Sequence, residues 1–182
     1  YNIKYEPDGG EEYAEMVARE LKEEDAKLTD EWGLDHGAWG VLKYLYPKAD
    51  IPTFELSLNG LLTEEQHYKI GKKLSKFREE EILIIGSGDI VHNLRAADYD
   101  IYGKPHEWAE AFDNYIVSAV KNYSHNTLIN YKALGDISKL AVPTDEHFLP
   151  LLYTIGMQDK NDKVEVIHQS IQNSSVSMTC LK

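Results

Sequence analysis

Three of the seven histidines stand where an imidazole could serve as acid, base or metal ligand. His36 lies in EWGLDHGAWGVL, residues 31–42, between Asp35 and Gly37, with Trp32 and Trp39 on either side. His92 follows a glycine-rich turn in GSGDIVHNLR, residues 86–95. His147 lies in PTDEHFLPLL, residues 143–152, directly after Asp145 and Glu146. A neutral imidazole is the commonest metal ligand, and a carboxylate beside it fixes its orientation and raises its basicity. Asp145 and Glu146 are the adjacent acids that could do this for His147. Beside His92, Asn93 could hold a backbone or substrate oxygen, and Arg95 could pair an anion. Around His36, Gly33 and Gly37 would let the backbone approach a ligand closely, and Asp35 could tune the ring. Trp32 and Trp39 could wall a flat apolar pocket.

Each segment has an ordinary reading of equal weight. The first could be a packed turn in which two Trp side chains fill volume. The second could be a strand-to-helix turn around a core histidine. The third could be acids at a helix N-terminus beside an incidental histidine. The other histidines carry weaker signals. His67 lies in a charged helix and reads as a surface residue. His106 and His125 fall near helix ends, and His168 alternates in a strand, so all three read as structural or solvated.

The elements that must position these residues can be read from periodicity. Residues 11–24 place Tyr13, Val17 and Leu21 on one face of an amphipathic helix, after a Gly9-Gly10 turn. GAWGVLKYLY, 37–46, reads as a buried helix stopped by Pro47, and IPTFELSL, 51–58, as a strand. Residues 63–80 form a helix opened by a Thr63–Gln66 capping box. EILIIGSG, 81–88, is an unbroken apolar run, the pattern of a strand buried on both faces of a parallel sheet. Residues 105–123 give a helix, 143–156 a short helix with Thr144 as N-cap, and KVEVIHQS and SSVSMTCLK two closing strands. Strands alternate with helices, so the expected class is α/β, a mostly parallel sheet with helices on both faces. Ligands in such sheets sit beyond the carboxyl ends of strands, where GSG stands.

Bulk composition narrows the function classes. The 182 residues fit a single domain, 1–182. The net charge of -12 repels phosphate backbones and argues against nucleic acid. One cysteine, Cys180, excludes an internal disulfide and a cysteine-rich zinc cluster. Any metal would be held by His, Asp or Glu. No apolar run approaches a membrane span, so no membrane partner is expected, and a soluble, cytoplasmic protein is. There is no phosphate loop of standard form and no serine nucleophile elbow. The chain starts at Tyr1 rather than Met, which suggests that upstream sequence is missing.

Taken together and in this order, GLDHGAWGVLKYLYPKADIPTFELSL, LIIGSGDIVHNLR and PTDEHFLPLLYTIG closely resemble the class III extradiol ring-cleavage dioxygenases, in the DOPA 4,5-dioxygenase branch of the LigB-like family. The opening YNIKYEPDGGEEYAEMVARELKE and the closing SSVSM resemble that family as well, so the likeness runs from residue 1 to residue 181. It implies a non-haem metal enzyme, with Fe(II) or Zn(II), that opens a catecholic ring with O2. It carries a metal-ligand role onto His147, and a role as further ligand or acid/base onto His92. His36 becomes a pocket-lining histidine that serves catalysis, Trp39 a wall for the ring, Trp32 packing, and Asn93 a group that positions a hydroxyl or O2.

The chain departs from the family pattern at several points. It contains neither the His-Gly-Ser-Pro nor the His-Trp motif that supplies two ligands, so further ligands are expected upstream of Tyr1. With His147 and His92 alone, weak metal binding or none is expected. Val142 stands where the family often has His, and YEPDG replaces Tyr-Pro-Ala-Pro-Gly. Two other readings stand beside the dioxygenase: a non-catalytic LigB-like binding protein, and a zinc hydrolase on the same sheet.

Overall fold

The computed structural model describes residues 4–182, so the first three residues of the opening YNIKY lie outside the described residues. The chain divides into two compact units, one up to Asn59 and one from Gly60 to Lys182.

In the first unit, α1 spans Glu11–Glu20 and α2 spans His36–Leu45. Gly10 precedes α1 in the left-handed region (φ 56°), a backbone that glycine adopts without penalty. Its amide donates to Asp8 Oδ1 at 2.9 Å, and the Asp8 carbonyl accepts from Thr53 N at 2.7 Å. The 51–58 segment is thus pinned at its start, although no ladder is assigned to it. Asp35 caps α2, its Oδ1 accepting from Ala38 N at 2.9 Å. This helix is less buried than its apolar run suggests. Leu42 is buried, while Val41, Tyr44 and Leu45 are exposed.

The second unit is built around α3 (Glu64–Leu74), α4 (Glu107–Lys121), α5 (His125–Ile129), α6 (Asp136–Ala141) and α7 (Leu149–Met157). The α3 capping box forms as read: Gln66 N donates to Thr63 Oγ1 and Gln66 Oε1 accepts from Thr63 N. Helices α3 and α7 touch backbone to backbone. A Cβ on Gly71 would collide with the Tyr153 carbonyl, and one on Gly156 with the Tyr68 carbonyl. Phe112, Tyr131 and Phe148 form an aromatic centre, with Tyr131 and Phe148 centroids 4.2 Å apart. Burying each such side chain stabilises the fold by roughly 1.5–3 kcal/mol.

Four short strands close the chain: β1 (Val166–His168), β2 (Ile171–Gln172), β3 (Val176–Ser177) and β4 (Cys180–Leu181). β1 pairs β4 and β2 pairs β3, both antiparallel. The buried Asp113 of α4 fastens this end. Its carboxylate accepts from Ser177 Oγ at 2.5 Å, Thr179 Oγ1 at 2.9 Å and Gln169 Nε2 at 2.7 Å.

The expected parallel sheet is not what the described strands form. Glu81 lies in a turn at φ 56°, residues 82–88 carry no ladder, and backbone pairing begins at Asp89. Leu83 and Ile85 are exposed, which corrects the reading of a strand buried on both faces, and it is Gly86 and Gly88 that press on Pro150 and His147. The third motif is also shorter as a helix than its sequence suggests. Pro150 has no amide to donate and clashes with a preceding turn, so α7 starts at Leu149 with the proline in its first turn. Thr144 is therefore not an N-cap, and its hydroxyl donates to Glu146 Oε1.

His67 overturns its surface reading. It is fully buried, with Nδ1 2.9 Å from the Tyr153 hydroxyl. Glu65 and Lys69 beside it on α3 face solvent, while its own position falls on the strip against α7. Burial lowers its pKa, against smaller opposing pulls from Asp145 and Glu64, and pushes the Tyr153 phenol up to about 12. The unfolded chain then binds a proton that the folded one refuses. Stability is complete above the ordinary histidine value of about 6.5 and falls as pH drops below it. Urea unfolding at pH values on either side of 6.5 is expected to show this loss in the wild type, and a smaller one in His67→Phe.

Candidate metal centre

Residues 86–93 run as a spine between two other segments of the second unit. On one side, Asp89 N donates to the His147 carbonyl at 2.8 Å and His92 N to the Ala141 carbonyl at 2.9 Å. On the other, Asn93 N donates to the Ser175 carbonyl at 3.2 Å and Ser177 N to the Val91 carbonyl at 2.8 Å. An isolated antiparallel bridge joins His92 to Val176. Gly86 and Gly88 let the spine lie flat. A Cβ on Gly86 would press on the Pro150 carbonyl, and one on Gly88 would overlap the His147 carbonyl. The glycines of GSG serve close backbone packing against the start of α7.

Two histidines predicted from separate motifs are brought face to face by this arrangement. The His92 and His147 rings stack with centroids 3.6 Å apart and planes 25° from parallel. Asp89 stands beside them, its Oδ2 3.6 Å from His147 Nδ1. One ligand atom from each of Asp89, His92 and His147 lies within 4.8 Å of the others, and all three residues are half-buried. Burial raises the Asp89 pKa, against the pull of the two imidazoles. Burial, and then the neighbouring His147, lower that of His92, against Asp89 and Glu146.

Two imidazoles and a carboxylate are a donor set that suits non-haem Fe(II) and Zn(II). The residues present therefore fit a divalent metal. Sequence reasoning passed over Asp89. Its signal was an acid three residues before His92 in GSGDIVHN.

The acids expected to orient His147 are engaged elsewhere. Asp145 pairs with Lys132, which also binds Glu64. The Asp145 carbonyl accepts from Phe148 N and Leu149 N, making His147 part of the turn before α7. Glu146 Oε1 lies 3.9 Å from His147 Nε2 and is already held by Thr144.

Asn93 is turned inward. Its Nδ2 donates to the Leu140 carbonyl at 2.7 Å, and its Oδ1 accepts from Arg95 N and Ala96 N. The partners of its side chain are all backbone groups. Arg95 is exposed.

The remaining candidates lie in the first unit. His36 is the first residue of α2 and is exposed, and Trp39 is half-buried on the same side of the helix. Asp35, expected to tune His36, caps α2 instead. Trp32 is 81% exposed, which corrects its reading as packing.

Residues 1–180 match the family described as the catalytic LigB subunit of aromatic ring-opening dioxygenase. The chain belongs to the LigB family. It is 34% identical over 182 residues to a 4,5-DOPA dioxygenase extradiol of Escherichia coli K12, covering 98% of this chain and 67% of that protein. It is 37% identical over 173 residues to one from Beta vulgaris, covering 93% and 64%. The chain thus spans about two thirds of the length of these curated relatives. The crystal structure of an uncharacterized protein from Escherichia coli K12 superposes with a TM-score of 0.91 at 34% identity, over 100% of this chain and 75% of that one. The fold is LigB-like. Among the described residues, no helix of this LigB chain is long and apolar enough to cross a membrane.

The spine gives a direct test of how this candidate site is assembled. Gly88→Ala places a methyl against the His147 carbonyl and should break the Asp89–His147 backbone bond. Overpacking of this kind costs about 1–3 kcal/mol. Urea unfolding is expected to show that loss, and histidine NMR spectra a displaced His147 signal.

Proposed function

We propose that the protein is a metal-dependent extradiol dioxygenase that cleaves a catecholic ring with O2, as the names of its relatives suggest. The observation that carries this reading is the meeting of His92 and His147 beside Asp89, in a chain of the LigB family. His147 is the residue of this chain that would hold the metal, Fe(II) or Zn(II), with His92 beside it as a further ligand or as the acid/base. When bound, Fe(II) supplies open positions at which the catechol oxygens and O2 meet.

The chain's own groups supply the proton chemistry. A catechol must shed protons to chelate, and a neutral imidazole can take one. Burial favours the neutral form of His92, so His92 is the residue read as acid/base. His36 is read as a substrate-facing histidine and Trp39 as an apolar wall for the ring, both through the family likeness. Asn93 is read as a group that positions a hydroxyl or O2, its amide held in place by the backbone of Leu140, Arg95 and Ala96. The same likeness favours a mostly parallel sheet in which 51–58 and 81–88 run as strands.

The test is anaerobic loading of the full-length protein with Fe(II), then a catechol and O2. A ring-fission product absorbing in the visible is expected, and it should vanish in His147→Ala with loss of bound metal. Bound Fe(II) with no product from any catechol would sink the proposal. His92→Phe should lower turnover by about 100- to 10,000-fold while retaining most of the metal, the range of a lost acid/base. Metal loss as deep as in His147→Ala would make His92 a ligand instead.

A further inference from the structure

We propose that Asp89 is the positioning carboxylate of His147, holding the ring with Nδ1–H toward Asp89 and leaving Nε2 as the nitrogen offered to a metal. Three carboxylates lie near this histidine, and geometry selects one. Asp145 is taken up by Lys132. Glu146 is 57% exposed in its side chain, is held by Thr144, and approaches His147 only to 3.9 Å, on Nε2. Asp89 is 22% exposed in its side chain and faces Nδ1 at 3.6 Å. That role requires the pair to close from this ion-pair distance to the usual hydrogen-bond length of about 2.9 Å.

The backbone makes this pairing durable. Asp89 N donates to the His147 carbonyl at 2.8 Å, so the two residues are fixed to each other before their side chains meet. Gly88 permits that approach, since any Cβ there would overlap the same carbonyl. A carboxylate on one imidazole nitrogen fixes the tautomer and makes the other nitrogen a better donor. The acid that does this for His147 therefore comes from the segment carrying His92, so one segment would supply both a ring and the orientation of its neighbour.

The proposal rests on His147 as a metal-holding residue, and two measurements separate the possible failures. The first is long-range nitrogen–proton NMR on histidine-labelled full-length protein without metal, at mildly alkaline pH. His147 is expected as the Nδ1–H tautomer, reverting in Asp89→Ala to the Nε2–H form that an unpartnered imidazole favours. The second is affinity for Zn(II) alone, by chelator competition. Asp89→Ala should weaken it by about 10- to 100-fold, with partial recovery in Asp89→Glu. An Nε2–H tautomer in the wild type, or unchanged Zn(II) affinity in Asp89→Ala, would overturn the proposal. So would a loss as deep as that of His147→Ala, because Asp89 would then be a ligand. If the wild type binds no Zn(II), the metal reading fails, and the tautomer alone decides whether Asp89 orients His147. Should Asp89→Ala fail to fold, the wild-type tautomer and the isosteric Asp89→Asn decide.

Discussion

The candidate centre depends on one backbone constraint: residues 86–93 must hydrogen-bond to two partners at once. The amides of Asp89 and His92 reach the 141–147 segment, while Asn93 and Val91 meet the 175–177 segment. Buried amides and carbonyls left unpaired are costly, so this double pairing fixes the register of all three segments. With the register fixed, the His92 and His147 rings meet. Without it, they are two histidines on separate turns.

The rest of the second unit serves that register. The contact between α3 and α7, made close by Gly71 and Gly156, holds α7, whose first turn adjoins the site. Pro150 forces the helix to start late and leaves His147 in the preceding turn. Lys132 clamps Asp145 and Glu64, tying that turn to the start of α3. Asp113 gathers three donors from the C-terminal hairpins and holds the Ser177 side of the seam. Asn93 caps the arrangement with side-chain bonds to Leu140, Arg95 and Ala96 backbone groups. The chemistry attributed to the site thus stands on hydrogen bonds made by residues that need not touch a substrate.

Helix positions were largely legible because helical periodicity and capping are local. The Thr63–Gln66 box, the Gly10 turn and the existence of α1 and α4 all depend on residues within a few positions of one another, although Tyr13, read on the apolar face of α1, is exposed. Burial was less legible. His67 sits among charged residues, yet its position on α3 points at Tyr153, a neighbour far along the chain. The apolar α2 is exposed over much of its surface, because an apolar run names no partner for itself. The reading of 81–88 as buried on both faces failed for a related reason. Leu83 and Ile85 are exposed among the described residues, so the apolar run by itself did not report burial.

What the sequence determined by itself was the set of chemically able residues and the family they belong to. His36, His92 and His147 announced themselves by their flanks, and the three motifs in order carried the LigB likeness. Tertiary structure alone decided which groups meet. It stacked His92 on His147, turned Asn93 to the backbone, and spent Asp145 on Lys132 and Asp35 on a helix cap. It also supplied Asp89, an acid that lies 58 residues from His147 in sequence and 3.6 Å from its ring nitrogen in space. Residue type and spacing encode what a side chain can do. Its partner is set by long-range backbone pairing, which no local pattern contains.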